Sequence, residues 1–175
     1  MSIDVSIFPK KSAPVTLNKI NAFWGKNAPK QLITEYGNNL NVRTIKSATP
    51  ISGNHDIQQD IGYTFDLKCS NTISLYKFDN SDIDDERSYL EDYVASFVGN
   101  FNEFVKLTTE CDFHFSLESY SGRGKLEIFL LLILASAIAE IVDGYVLITD
   151  KVLDLESGLY RGDFVVNEVN IGLPH

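Results

Sequence analysis

The spacing of apolar positions changes several times along the chain, and each change marks an element. From Ser2 to Phe8, Ile3, Val5 and Ile7 alternate with Asp4 and Ser6. A period of two predicts a half-buried strand, which Pro9 ends. Leu17, Ile20, Phe23 and Trp24 then fall at helical spacing, and Thr16 stands where an N-cap belongs. Pro29 opens a second short helix that ends near Gly37, with Leu32, Ile33 and Tyr36 inward. Asn38 to Asp60 is polar and rich in turn residues, and it reads as a long loop with a brief strand at Val42 to Lys46.

Ile61, Tyr63, Phe65 and Leu67 share one face of a predicted strand. Ser70-Asn71 forms a turn, and Thr72 to Phe78 returns as the second arm of a hairpin. Leu90, Val94, Phe97, Val98, Phe101, Phe104 and Val105 recur at spacings of three and four, predicting a long helix over Asp84 to Thr108. Asp112 to Ser119 alternates again, with Phe113, Phe115 and Leu117 inward and His114, Ser116 and Glu118 outward. The tail has turns at Ser157-Gly158 and Arg161-Gly162, then a last strand from Phe164 to Val169.

The run Ile128 to Ala139 breaks both periods, because every residue except Ser136 is apolar. A membrane-spanning helix needs about 20 such residues, and Lys125, Glu127, Glu140 and Asp143 flank this run closely. It is therefore expected to be a core helix over 125–143, stopped at Gly144 and followed by a buried strand at Tyr145 to Thr149. The expected architecture is α+β: one globular domain, 1–175, with helices packed against a single mixed sheet. The strand–helix–strand unit from Asp112 to Thr149 suits a parallel crossover. An all-apolar helix needs cover on more than one side, and the sheet and the Asp84–Thr108 helix are expected to provide it.

Composition narrows the function. The net charge of -9 argues against a nucleic-acid surface and against attraction to anionic lipid. The first residues, MSIDVSIFPKK, lack the charge and apolar core of a signal peptide, so a cytoplasmic location is expected. Cys69 and Cys111 make no disulfide framework. Charge is concentrated from Asp79 to Asp92, where seven acids against Arg87 alone give -6 in fourteen residues. Asp79, Asp82, Asp84, Asp85 and Glu86 lack the glycine of a calcium loop, but several of them suit the start of a helix. With Tyr89 and Tyr93 four residues apart, the segment has the composition of a docking face for a basic protein.

No chemical motif is complete. Ser121-Gly-Arg-Gly-Lys125 sits between a strand and a helix, where phosphate loops occur. However, it has Ser119 where that motif needs glycine and Leu126 where it needs Ser or Thr. Arg123 and Lys125 lie at a helix start and Glu140 and Asp143 near its end, and both pairs oppose the helix dipole. Arg123 and Lys125 thus become candidate contacts for an anion or a partner carboxylate. Cys111 and His114 are three apart on a strand and point to opposite faces, which argues against zinc and against a Cys–His pair. No cofactor and no metal are expected.

The segment ASAIAEIVDGYVLITD, Ala135 to Asp150, resembles a pattern found in small bacterial immunity proteins, where a buried Ala-rich helix ends at glycine and enters a strand. The resemblance covers about a tenth of the chain and carries over no functional residue. It implies a non-enzymatic protein that neutralises a toxin domain, often a basic nuclease, by stoichiometric binding. Two alternatives are an acidic secretion chaperone and a small enzyme whose site gathers scattered residues such as His55, Arg123 and Glu118.

Overall fold

In a computed structural model, residues 3–66, 72–79, 83, 88, 101–119 and 124–173 are described. Seven strands form one sheet: β1 (Ile3–Phe8), β2 (Asn41–Thr44), β3 (Gly62–Asp66), β4 (Thr72–Asp79), β5 (Phe113–Ser119), β6 (Tyr145–Ile148) and β7 (Gly158–Tyr160). The helices are α1 (Leu17–Asn27), α2 (Lys30–Tyr36), α3 (Phe101–Glu110), α4 (Lys125–Ile141) and α5 (Gly162–Gly172). The sheet order is β2-β3-β4-β5-β1-β6-β7, and every neighbouring pair is antiparallel. The α+β class is as expected, but the sheet is antiparallel rather than mixed. β5 and β6 do run in the same direction across α4, as a parallel crossover would, yet β1 is inserted between them and pairs with both.

The alternation read along β1 places Val5 and Ile7 in the main core, with Phe115, Leu117, Val146 and Ile148 beside them. α4 lies on this face of the sheet and is buried from Phe129 to Ala139. Among the described residues its outer side is covered by α1, α2 and α5. Within the helix expected over Asp84 to Thr108, 101–110 is helical, and Phe104 and Leu107 pack on the opposite face of the sheet with Phe8, Leu147 and Leu159. Ile83 joins the same cluster. The rest of the expected helix, including Leu90, Val94, Phe97 and Val98, lies outside the described residues.

This second covered face corrects two expectations about sidedness. His114 and Ser116 were expected to face outward, but both are buried. His114 is only 5% exposed because its ring is stacked between Phe8, at 5.2 Å, and Phe78, at 5.7 Å. Ile61 was expected inward, but the strand begins at Gly62 and Ile61 points to solvent.

The expected strand from Phe164 to Val169 is part of α5. Its valines favour a strand, but Val165, Val166, Val169 and Leu173 recur at helical spacing and bury one face. Just before it, Gly158 starts β7 where a turn was expected. Two glycines allow close packing. A Cβ on Gly144 would lie 2.2 Å from the Phe8 carbonyl oxygen, and one on Gly162 would lie 2.9 Å from that of Ser136. No described helix is long and apolar enough to cross a membrane.

Candidate partner-binding surface

Of the residues expected to meet a partner, Asp79 is the one whose surroundings are most informative. It ends β4, opposite Phe113, and is exposed. Beside it the 52–61 loop is tied down along its length. The Asp56 carboxylate accepts hydrogen bonds from the backbone of Val15 and Gln58, both at 3.1 Å. The Gln58 amide donates to the Ala13 carbonyl at 2.7 Å, and Asn18 N donates to the Gly53 carbonyl at 2.8 Å. His55 Nε2 is 2.8 Å from the Tyr63 hydroxyl, whose pKa is pushed up to about 12 by burial and then by the nearby Asp60 charge. These contacts fix the backbone that presents Asp60 and Ile61.

The result is an exposed apolar patch on a pinned frame. Ile61 is 76% exposed and Phe78 40% exposed, and Ile45 lies against Gly62 nearby. Gln58, Gln59, Asp60, Ile61, Lys77, Phe78 and Asp79 line a shallow depression of about 410 Å³. Two of the five exposed large apolar residues among the described residues, Ile61 and Phe78, thus line one depression with two carboxylates. Two exposed apolar side chains set among carboxylates, amides and Lys77 suit a protein contact better than they suit a reaction. The depression opens where the chain enters the segment that carries -6.

No family model matches the chain, and no curated protein or solved structure resembles it. Inference about function therefore rests on the surface itself.

Of the remaining site candidates, Lys125 is the one among the described residues. Asp82, Asp84, Asp85, Glu86, Tyr89, Tyr93 and Arg123 lie outside the described residues. Between them, Ile83 is helical and buried, and Ser88 is helical and exposed. Lys125 is the first residue of α4, exposed, with its ammonium 5.4 Å from the Phe129 ring centre. It follows the far end of β5 from the Asp79–Phe113 pair, about 20 Å away at strand rise. Asp79 and Lys125 therefore do not share a site.

The charges that oppose the dipole at the end of α4 have local partners. The Arg161 guanidinium donates to the Asp143 and Gly144 carbonyls, both at 3.1 Å, and to Asp143 Oδ1 at 2.8 Å. Lys11 Nζ is 2.8 Å from Asp143 Oδ2. Hydrogen bonds from Lys11 and Arg161 hold the Asp143 carboxyl at about 2. Asp143, at φ +49°, thus gathers two cations around the carbonyl end of the helix, which favours them. At the other end, Glu127 is buried and accepts a hydrogen bond from Ser119.

The soft and titratable groups do not assemble into a reactive centre among the described residues. The Cys111 thiol donates to the Pro9 carbonyl, and burial pushes its pKa up, away from the reactive thiolate. His55 is hydrogen-bonded to Tyr63, a core residue on the α4 face, whereas Glu118 sits on the opposite face of β5. The described members of the scattered set are therefore not brought together. No group of three metal-ligating side chains occurs among the described residues. Nothing in the apolar periodicity pointed to the Ile61 and Phe78 pair, because exposure depends on where β3 begins and what covers its end.

Proposed function

We propose that this is a non-enzymatic protein-binding protein, a bacterial immunity protein that neutralises a basic toxin domain in the cytoplasm by stoichiometric binding. The observation that carries this reading is the exposed Ile61 and Phe78 pair, rimmed by Asp60 and Asp79 at the entry to the acidic segment. Opposite fields steer such partners together, and a buried aromatic or aliphatic anchor then slows their separation. The pinned 52–61 loop limits the ordering needed on binding.

The test is to identify a toxin domain as the captured partner of the full chain and co-express the two, reading growth rescue and the salt dependence of the purified complex. Asp79→Lys should slow association and flatten its salt dependence, while Ile61→Glu with Phe78→Ala should speed dissociation at least tenfold. A complex that forms and rescues growth unchanged in both variants would remove this surface from the reading. Absence of any complex would remove the immunity role.

A further inference from the structure

On the helical side of the molecule, α1 and α5 flank the C-terminal end of α4, and a groove of about 530 Å³ runs between them. Lys19, Ala22, Phe23 and Lys26 form the α1 wall, at the spacing that puts them on one face of the helix. Asp163 and Val166 of α5, with Glu140 and Ile141 at the end of α4, form the opposite wall. The centre of the groove is apolar. Val166 is buried, Phe23 and Ile141 pack half-buried on the main core, and Ala22 is exposed.

The two walls carry opposite charge. Lys19 and Lys26 stand on one side and Glu140 and Asp163 on the other, and no ion pair joins them across the groove among the described residues. The Lys19 ammonium donates to the Pro14 carbonyl at 2.7 Å, and Arg161, near Glu140, is hydrogen-bonded to Asp143. The same polarity runs through the segments behind the walls. From Val5 to His55, seven bases against Glu35 alone give +6. From Glu140 to His175, seven acids against Lys151 and Arg161 give -5. Lys10, Lys11 and Arg43 of the basic segment pair with acids elsewhere, but Lys19, Lys26, Lys30 and Lys46 make no ion pair among the described residues.

A face of one sign calls for a partner of the other sign. A face with a basic wall, an apolar strip and an acidic wall is complementary to itself. A twofold axis along the groove sets each lysine wall over the opposite carboxylate wall and brings the two apolar strips together, whereas a twofold across the groove opposes like charges. With the axis along the groove, each α1 lies against the other copy's α5, and the four helices close around Ala22, Phe23 and Val166. We infer that this groove is the interface of a symmetric dimer, occupied by a second copy of the chain. It shares no residue with the Asp79 depression and does not rest on the immunity reading.

The test is sedimentation equilibrium of the full chain, in which a dimer is expected at micromolar concentration. One variant reverses the basic wall, Lys19→Glu with Lys26→Glu, and a second reverses the acidic wall, Glu140→Lys with Asp163→Lys. Each alone should raise the dimer dissociation constant at least tenfold, because its two walls then have the same sign. Mixed in equal amounts, the two variants should form a one-to-one dimer as tight as the parent, since both contacts regain opposite charge. Ala22→Glu puts a charge in the apolar strip at an exposed position, so it should leave a monomer with unchanged far-ultraviolet circular dichroism. A parent chain that stays monomeric up to millimolar concentration would overturn the inference and leave the groove to another protein. A dimer that persists in both reversed variants would also overturn it, because the contact would then lie elsewhere, and so would failure of the mixed variants to pair.

Discussion

Two glycine-to-alanine substitutions should have opposite effects. At Gly144 the added Cβ meets the Phe8 carbonyl oxygen at 2.2 Å and its carbon at 3.1 Å, whereas ordinary contact begins near 3.4 Å. The obstacle is backbone, so it cannot rotate away. Phe8 pairs with Tyr145, and the Val142 carbonyl accepts from Lys10 N and Lys11 N, so moving Phe8 by more than an ångström strains the β1–β6 register and its continuation. Overpacking of this kind costs about 3 kcal/mol, which in a chain of this length lowers Tm by about 6–12 °C. Gly25, inside α1, has nothing within 4 Å of its added Cβ. Alanine there should stabilise by about 0.5–1 kcal/mol, raising Tm by about 1–4 °C, because glycine is a poor helix former. Trp24 is the sole tryptophan and is fully buried, so its emission reports global unfolding in both variants, with calorimetry as a check. A Gly144→Ala protein as stable as the parent would refute the described approach of β1 to the end of α4.

Two further outcomes follow from the packing and charge arrangement. Phe104→Ala removes a ring that sits edge-on to Phe8 at 5.8 Å, so it should cost about 3–5 kcal/mol in urea unfolding and free the 101–110 helix first in hydrogen exchange. The Asp143 carboxyl titrates at about 2 in the fold against an ordinary 3.8, so its stabilising contribution is fully present above pH 3.8 and is lost as pH falls toward 2. Asp143→Asn should therefore lower the urea midpoint at neutral pH and flatten its decline over that acid range. An unchanged decline would exclude the Lys11 and Arg161 contacts as its source.

Elements whose burial is local were legible in the sequence. α4 was plain because eleven of twelve residues from Ile128 are apolar; β1 was legible as a strand from its alternation, but not as half-buried, because Ser6 and Phe8 are buried on the second covered face. α5 was misread because valine-rich composition outweighed the spacing of Val165, Val166 and Val169. His114 was misplaced for a different reason: its burial depends on Phe8 and Phe78, supplied by other strands. The surface at Asp79 was half legible. Its charge is written in the sequence, but its apolar partners became visible only once Ile61 proved to precede its strand.

The placement of β1 sets a schedule for the growing chain. Residues 3–8 are made more than a hundred residues before their two partners, 113–119 and 145–148. Until those are made, an apolar strand with two open edges has nothing to pair with in its own sheet. β3 and β4 can form their hairpin from neighbouring sequence, whereas closure at β1 spans more than a hundred residues of chain. Such distant closure slows folding and lengthens the exposure of a sticky segment during synthesis. In this molecule β1 waits for β5 and β6 before both its edges are covered.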